Sequence, residues 1–117
     1  MIIRIKDLRL RTLVGDNEWE TRKAQDVTVN VEFEYDAHAA TESDDMSHAV
    51  NYKEIKHKII TLVEEGHFRL LETLADRVLK IVIEDEKVIR ARVEVDKPHA
   101  LRFADSVSAT ATWEKQA

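Results

Sequence analysis

The chain has no cysteine, one proline and two glycines among its 117 residues. Without cysteine there is no disulfide, no thiolate nucleophile and no cysteine-ligated zinc or iron–sulfur site. No glycine-rich loop precedes a helix, so the P-loop and the dinucleotide-binding turn are both absent. No serine stands in a G-x-S-x-G context, which removes the strained elbow that exposes a hydrolase nucleophile. The five histidines, His38, His48, His57, His67 and His99, show neither HxH nor HExxH spacing, so no metal site borne on one helix or strand is expected. Long apolar runs are also missing. The opening MIIRIKDLRLR is broken by charge at every second or third residue, unlike a signal peptide or a membrane span. A net charge of −5 argues against nucleic-acid binding, although Arg4, Lys6, Arg9 and Arg11 crowd the first strand and leave a local anion site open. A cytoplasmic protein without membrane or nucleic-acid partners is expected.

What is present is the balance of a folded domain: 44% hydrophobic and 35% charged residues, too apolar for a disordered segment. The length suits one domain over residues 1–117, but is short for an enzyme with a deep pocket of its own. A site shared between subunits is the natural inference.

Residues 2–14 alternate twice, with Ile3 and Ile5 on odd parity and Leu8 and Leu10 on even. A flip near Asp7 is what a β-bulge does to a strand. Residues 25–36 alternate most clearly, Val27, Val29, Val31, Phe33 and Tyr35 against Thr28, Asn30, Glu32 and Glu34, which predicts a long strand with one wet face. The Ser- and Asp-rich stretch DAHAATESDDMSHAV reads as a connection with one short turn. Asn51 as N-cap and Glu54 three residues on resemble a capping box, and Tyr52, Ile55, Ile59, Leu62 and Val63 recur at helical spacing up to a stop at Gly66. After HFR, Leu71, Leu74, Ala75, Val78, Ile81 and Val82 define a second amphipathic helix with Glu72 in its first turn. Ile89, Ala91, Val93 and Val95, then Val107, Ala109, Ala111 and Trp113, mark two further strands. The order β-β-α-α-β-β predicts an α+β fold, two helices on one face of a four-stranded antiparallel sheet. Long strands with exposed edges are protected when such sheets join into a multi-subunit β-barrel.

Within RVEVDKPHALRFADSVS, period two puts Lys97 on the same odd, apolar face as Val93 and Val95. An ammonium stands where a valine is expected, and Pro98, His99 and Arg102 follow. Three other ionisable groups lie at element ends or in a loop: Glu20, Tyr52 and Glu72. Taken singly, each has a structural explanation. Glu20 can be a solvated loop charge, Tyr52 a core aromatic with its hydroxyl at the edge, Glu72 a complement to the helix dipole and Lys97 a snorkelling side chain. Spacing leaves those alternatives open.

Taken together, VGDNEWETRKAQDVTVNV, AVNYKEI, LLETLADRV and VEVDKP resemble, in order and over essentially the whole chain, the dihydroneopterin aldolase family of tunnelling-fold pterin enzymes. IRIKDLRLRT and HALRFADSVS look most like the branch of that family that inverts C2′ of dihydroneopterin triphosphate. The resemblance implies that Glu72, with Leu71 beside it, grips the amino-pyrimidine edge of a dihydropterin, a planar donor pair suited to a carboxylate. It implies Lys97 and Tyr52 as proton-transfer residues, and Glu20 as a catalytic loop glutamate contributed across a subunit boundary. Burial at the end of an apolar strand face disfavours the charged form of such a lysine and suits it to passing a proton. His99 and Arg102 are candidates for holding a triphosphate tail, with Arg11, Arg22 or Lys23 adding charge. Arg102 can equally pair with Asp105 or stay solvated. No cofactor and no metal are implied. Subunits of this family close a shared barrel, two tetrameric rings stack into a homo-octamer, and the pockets lie at subunit interfaces. The expected activity is 2′-epimerisation, with dihydroneopterin cleavage by an aldolase, or pterin binding without turnover, as the alternatives.

Overall fold

The structure, a computed structural model, describes residues 1–15 and 23–116. Alternation builds its first two strands, β1 (Ile2–Val14) and β2 (Gln25–Tyr35), into an antiparallel pair. Their register slips between Ile5↔Val31 and Leu8↔Val29, so Lys6 and Asp7 together oppose Asn30. This is the bulge that the change of parity predicts. Asp7 takes φ 52°, and its backbone N–H donates to Asn30 Oδ1 at 2.9 Å. A short side-chain acceptor satisfies the donor that the bulge removes from the ladder.

The connection after β2 holds more structure than its composition suggests. It contains a helix α1 (His38–Ser43) and a 3₁₀ turn over Met46–His48, which Asp45 caps by accepting from Ser47 N. Helix α2 (Tyr52–Glu65) begins where Asn51 Oδ1 accepts from the N–H groups of Lys53 and Glu54, both at 3.1 Å. That cap satisfies two first-turn donors that would otherwise lack partners. Ile55, Ile59 and Val63 form the buried stripe of α2.

Gly66 ends α2 in extended geometry, φ −88° and ψ 164°, and not in the left-handed conformation usual for a terminal glycine. Its reason is space: a Cβ there would run into the Phe68 ring and the Leu62 carbonyl oxygen. The residues that follow form a strand β3 (His67–Phe68), parallel to β1 through Leu13↔His67 and Val14↔Phe68. The sheet of the described residues therefore has five strands, in the order β3-β1-β2-β4-β5, rather than the expected four. Two residues carry no periodicity, so only pairing reveals such a strand.

Helix α3 (Leu71–Val82) buries Leu71, Leu74, Ala75, Val78, Leu79 and Val82. Strands β4 (Val88–Pro98) and β5 (Ser106–Glu114) complete the antiparallel part of the sheet. Along β4, Val88 is buried and Ile89 is 39% exposed, the reverse of strict alternation. The ladder slips where Arg90 pairs with Glu34 and Val88 with Tyr35. Helix α2 lies over β1, while α3 lies over β4 and β5. Burying a valine or phenylalanine side chain contributes roughly 1.5–3 kcal/mol, and Val27, Val29, Val31 and Phe33 make β2 the floor of this core. The helix-free face is polar and carries ion pairs, including Arg4–Glu32 at 2.8 Å and Arg90–Glu34 at 2.9 Å. Among the described residues, the outer edge of β1 beyond the two residues paired with β3 has no partner strand, nor has that of β5.

Candidate active site

Lys97 lies on the inward parity of β4, after the fully buried Val93 and Val95, and is itself 9% exposed. Its Nζ donates to the carbonyl of Val14, at the end of β1, at 3.4 Å. Gln25 Nε2 donates to the same oxygen at 3.1 Å. One residue further, Gly15 N–H donates to the Phe68 carbonyl at 2.8 Å. These bonds draw the ends of β1 and β4 together with the start of β2 and the short β3.

Helix α3 follows β3 almost at once. Its N-cap, Leu70, is extended and supplies no side-chain cap. Leu71 is buried against the core, whereas Glu72, next in sequence, is exposed in the first turn. Through the β3 pairing, the helix start that bears Glu72 and the strand end that bears Lys97 share one end of the sheet. An ammonium, a carboxylate and an apolar wall at Leu71 can together hold a flat polar heterocycle by one edge and move a proton at its side chain.

Tyr52 lies elsewhere. It opens α2, is 47% exposed, and belongs to the far end of the helix from Gly66, whose carbonyl accepts from Thr12 Oγ1 at 3.4 Å. The 14 residues of α2 span about 20 Å at 1.5 Å per residue, which separates Tyr52 from the Lys97 end. The start of α2 instead borders a concavity of ≈ 240 Å³ lined by Asn51, Lys58, Ile81, Glu84 and Asp85, beside the C-terminal end of α3. Lys58 bonds there to Glu54 at 3.2 Å and Glu84 at 3.3 Å, and these bonds hold its ammonium above the usual lysine range. Within one chain, the sequence-predicted residues thus fall into two groups at opposite ends.

Glu20 and Arg22 lie outside the described residues. His99 is exposed at φ 60°, and its N–H donates to the Asp105 carbonyl at 3.3 Å. Arg102 is exposed, with its guanidinium 5.5 Å from the centre of the Phe103 ring. It pairs with that ring, not with Asp105. Arg11 is engaged by Asp26 at 3.3 Å and by the Ala24 carbonyl at 3.0 Å. A concavity of ≈ 390 Å³ between Ile2, Phe33, Arg90 and Trp113 lies at the other end of the strands from Lys97. Among the described residues, no three His, Asp or Glu side chains gather as metal ligands, and no helix is long and apolar enough to cross a membrane.

The sequence profile described as FolB: Dihydroneopterin aldolase matches residues 3–112. The chain belongs to the dihydroneopterin aldolase family. It is 52% identical to the dihydroneopterin triphosphate 2′-epimerase of Pseudomonas aeruginosa, over 92% of this chain and 88% of that protein. It is 48% identical to the Escherichia coli protein of the same name, over 97% of this chain and 95% of that one. The crystal structure of E. coli dihydroneopterin aldolase in complex with neopterin superposes with a TM-score of 0.90 at 26% identity, covering 97% of this chain and 98% of that one. The α+β architecture is therefore the tunnelling fold of the dihydroneopterin aldolase family.

Sequence reasoning missed two contributors to this end of the molecule. Phe68 carried no signal beyond being apolar between a glycine and a helix. Thr12, only 2% exposed, sits at an inward position of β1, and its hydroxyl secures the end of α2. Parity after the bulge at Asp7 places it there, so counting on from Leu8 and Leu10 would have found it.

Proposed function

We propose that this protein is a dihydroneopterin triphosphate 2′-epimerase, acting without a cofactor in a homo-octamer of two stacked tetrameric rings. The reading rests on one observation: the likeness to epimerases is nearly twice that to the aldolase of the same fold. A buried lysine and an exposed helix-start glutamate at one end of the sheet support it.

In the proposed reaction Glu72 accepts from the amino-pyrimidine edge of the dihydropterin while Leu71 packs against its ring. The 2′-hydroxyl gives up its proton, the C1′–C2′ bond breaks, and its electron pair enters the conjugated dihydropterin ring. The products are an enol-like pterin and a phosphorylated glycolaldehyde. Re-addition to the other face of the aldehyde carbon returns the electron pair and the proton and inverts C2′. No electron leaves the pair of fragments, so the chemistry requires no redox group. Lys97, Tyr52 and Glu20 are the proton-transfer residues of this scheme. Because the length of α2, about 20 Å, separates Tyr52 from the Lys97 end in one chain, Tyr52 of a neighbouring copy completes the pocket. His99 and Arg102 are assigned to the triphosphate tail.

Release of the aldehyde instead of re-addition is the aldolase reaction, and the same groups serve it. Purified protein incubated with 7,8-dihydroneopterin triphosphate and, separately, with 7,8-dihydroneopterin distinguishes the two. Predominant 2′ epimer from the triphosphate is the expected result. Predominant 6-hydroxymethyl-7,8-dihydropterin from the unphosphorylated compound would make the protein an aldolase. Tight pterin binding with no product from either would leave a binding protein.

A further inference from the structure

One peptide group ties the Lys97 end together. Strand β1 outlasts its partner: its ladder with β2 stops at Thr12↔Gln25, while β1 runs on to Val14. Among the described residues, no backbone N–H of β2 therefore faces the Val14 carbonyl, although Val14 is only 1% exposed, and a buried carbonyl needs a donor. Two side chains supply it. Gln25 Nε2, from the first residue of β2, donates to this oxygen at 3.1 Å, and Lys97 Nζ donates to it at 3.4 Å. The N–H of the same peptide, on Gly15, donates to the Phe68 carbonyl at 2.8 Å. The group is thus gripped by β3 on one side and by β2 and β4 on the other. Its two carbonyl bonds are unequal. An amide at 3.1 Å makes an ordinary hydrogen bond, whereas 3.4 Å is long for an ammonium, whose charge-assisted bonds are normally the shorter kind. Gln25 holds the oxygen, and Lys97 is loosely engaged by it.

We propose that Gln25 is a positioning residue for Lys97: by holding the Val14 carbonyl, it allows the Lys97 nitrogen to leave that oxygen for the substrate and return to it while the ends of β1 and β4 stay in place. The proposal rests on the role given to Lys97 above. A nitrogen that passes a proton changes partners during the reaction. Were Lys97 the sole donor to a buried carbonyl, each departure would leave that oxygen unsatisfied, a cost that would hold the nitrogen away from the substrate. The Gln25 amide carries no charge, so its bond is the same whichever form Lys97 takes. It also occupies one of the two lone pairs of the carbonyl, which leaves Lys97 one direction of approach. Because the same peptide is bonded to Phe68, just before the helix start that bears Leu71 and Glu72, the anchor also sets the nitrogen relative to the groups assigned to the pterin ring. Gln25 acts on the reaction through Lys97 and not on the substrate.

The test is a double-mutant cycle in the full-length protein. Turnover of 7,8-dihydroneopterin triphosphate is counted as 2′ epimer plus 6-hydroxymethyl-7,8-dihydropterin, so the cycle reads the same whether the enzyme epimerises or cleaves. Gln25→Met keeps the reach of the side chain and removes its donor. It should lower kcat about ten- to a hundredfold, the effect of misplacing a reacting group by up to about 1 Å. KM, and pterin affinity in fluorescence titration, should stay at the wild-type values, which marks a loss confined to the transition state. In the Lys97→Ala background, followed in single turnover, the same substitution should have no further effect, because residues that act as one unit are not additive. An unchanged kcat in Gln25→Met overturns the proposal. So does an equal further loss in the Lys97→Ala background, or a loss that merely follows a lower urea midpoint or dissociation in sedimentation. Undiminished turnover by Lys97→Ala would refute the role of Lys97 and the proposal with it. No turnover by the wild-type protein would refute the proposed function itself, an outcome separable from all the others.

Discussion

At the Lys97 end of the sheet, a nearly buried ammonium reaches a backbone carbonyl, and strand pairing through β3 sets its relation to Glu72. At the Tyr52 end, the phenol stands on an exposed helix start, held by the Asn51 cap and by the surface ion pairs of Lys58. One end is fixed by core packing and main-chain hydrogen bonds, the other by local capping and charge. The contrast fits a division of labour. In the proposed assembly the packed end is a rigid half-pocket, and the exposed end supplies a side chain to a neighbour's pocket.

The comparison breaks most visibly at Lys97. Lys97→Ala should reduce epimer formation by about a hundred- to ten-thousandfold, the range for loss of a positioned proton-transfer group, with pterin binding retained in equilibrium fluorescence titration. Mixed assembly sharpens it. Lys97→Ala and Tyr52→Ala chains, each inactive alone, should together regain about a quarter of wild-type activity after random co-assembly of a symmetric ring. No recovery would place both residues in one chain's own pocket.

Smaller effects separate the forces that hold the two ends. Phe68→Ala, at a residue 5% exposed, should cost about 3–5 kcal/mol in urea unfolding, as buried phenylalanines do. Asn51→Ala should cost about 1 kcal/mol, the usual worth of an N-cap. The smallest effect is expected at Lys58, where the hydrogen bonds to Glu54 and then to Glu84 raise the ammonium above the ordinary lysine value of 10.5. Its contribution is therefore fully present below that value and is lost as pH rises through the raised one. Solvent screening at this exposed position keeps it slight. The urea midpoint of Lys58→Met should converge with that of the wild type above the lysine range.

Alternation and helical spacing determined the long elements, the bulge at Asp7, the Asn51 cap and the inward position of Lys97, because each is a local consequence of backbone period or capping chemistry. Sequence alone also singled out Glu72 and Tyr52. It could not say that they lie at opposite ends of the molecule, since that depends on how α2, which runs between them, lies along the sheet. Other features were decided only by the tertiary structure. Among them are the β3 pairing through Phe68, the exchange of Val88 for Ile89 at the core, the steric need for Gly66 and the full exposure of Phe103. Each depends on which distant residue arrives alongside, and no periodicity records that.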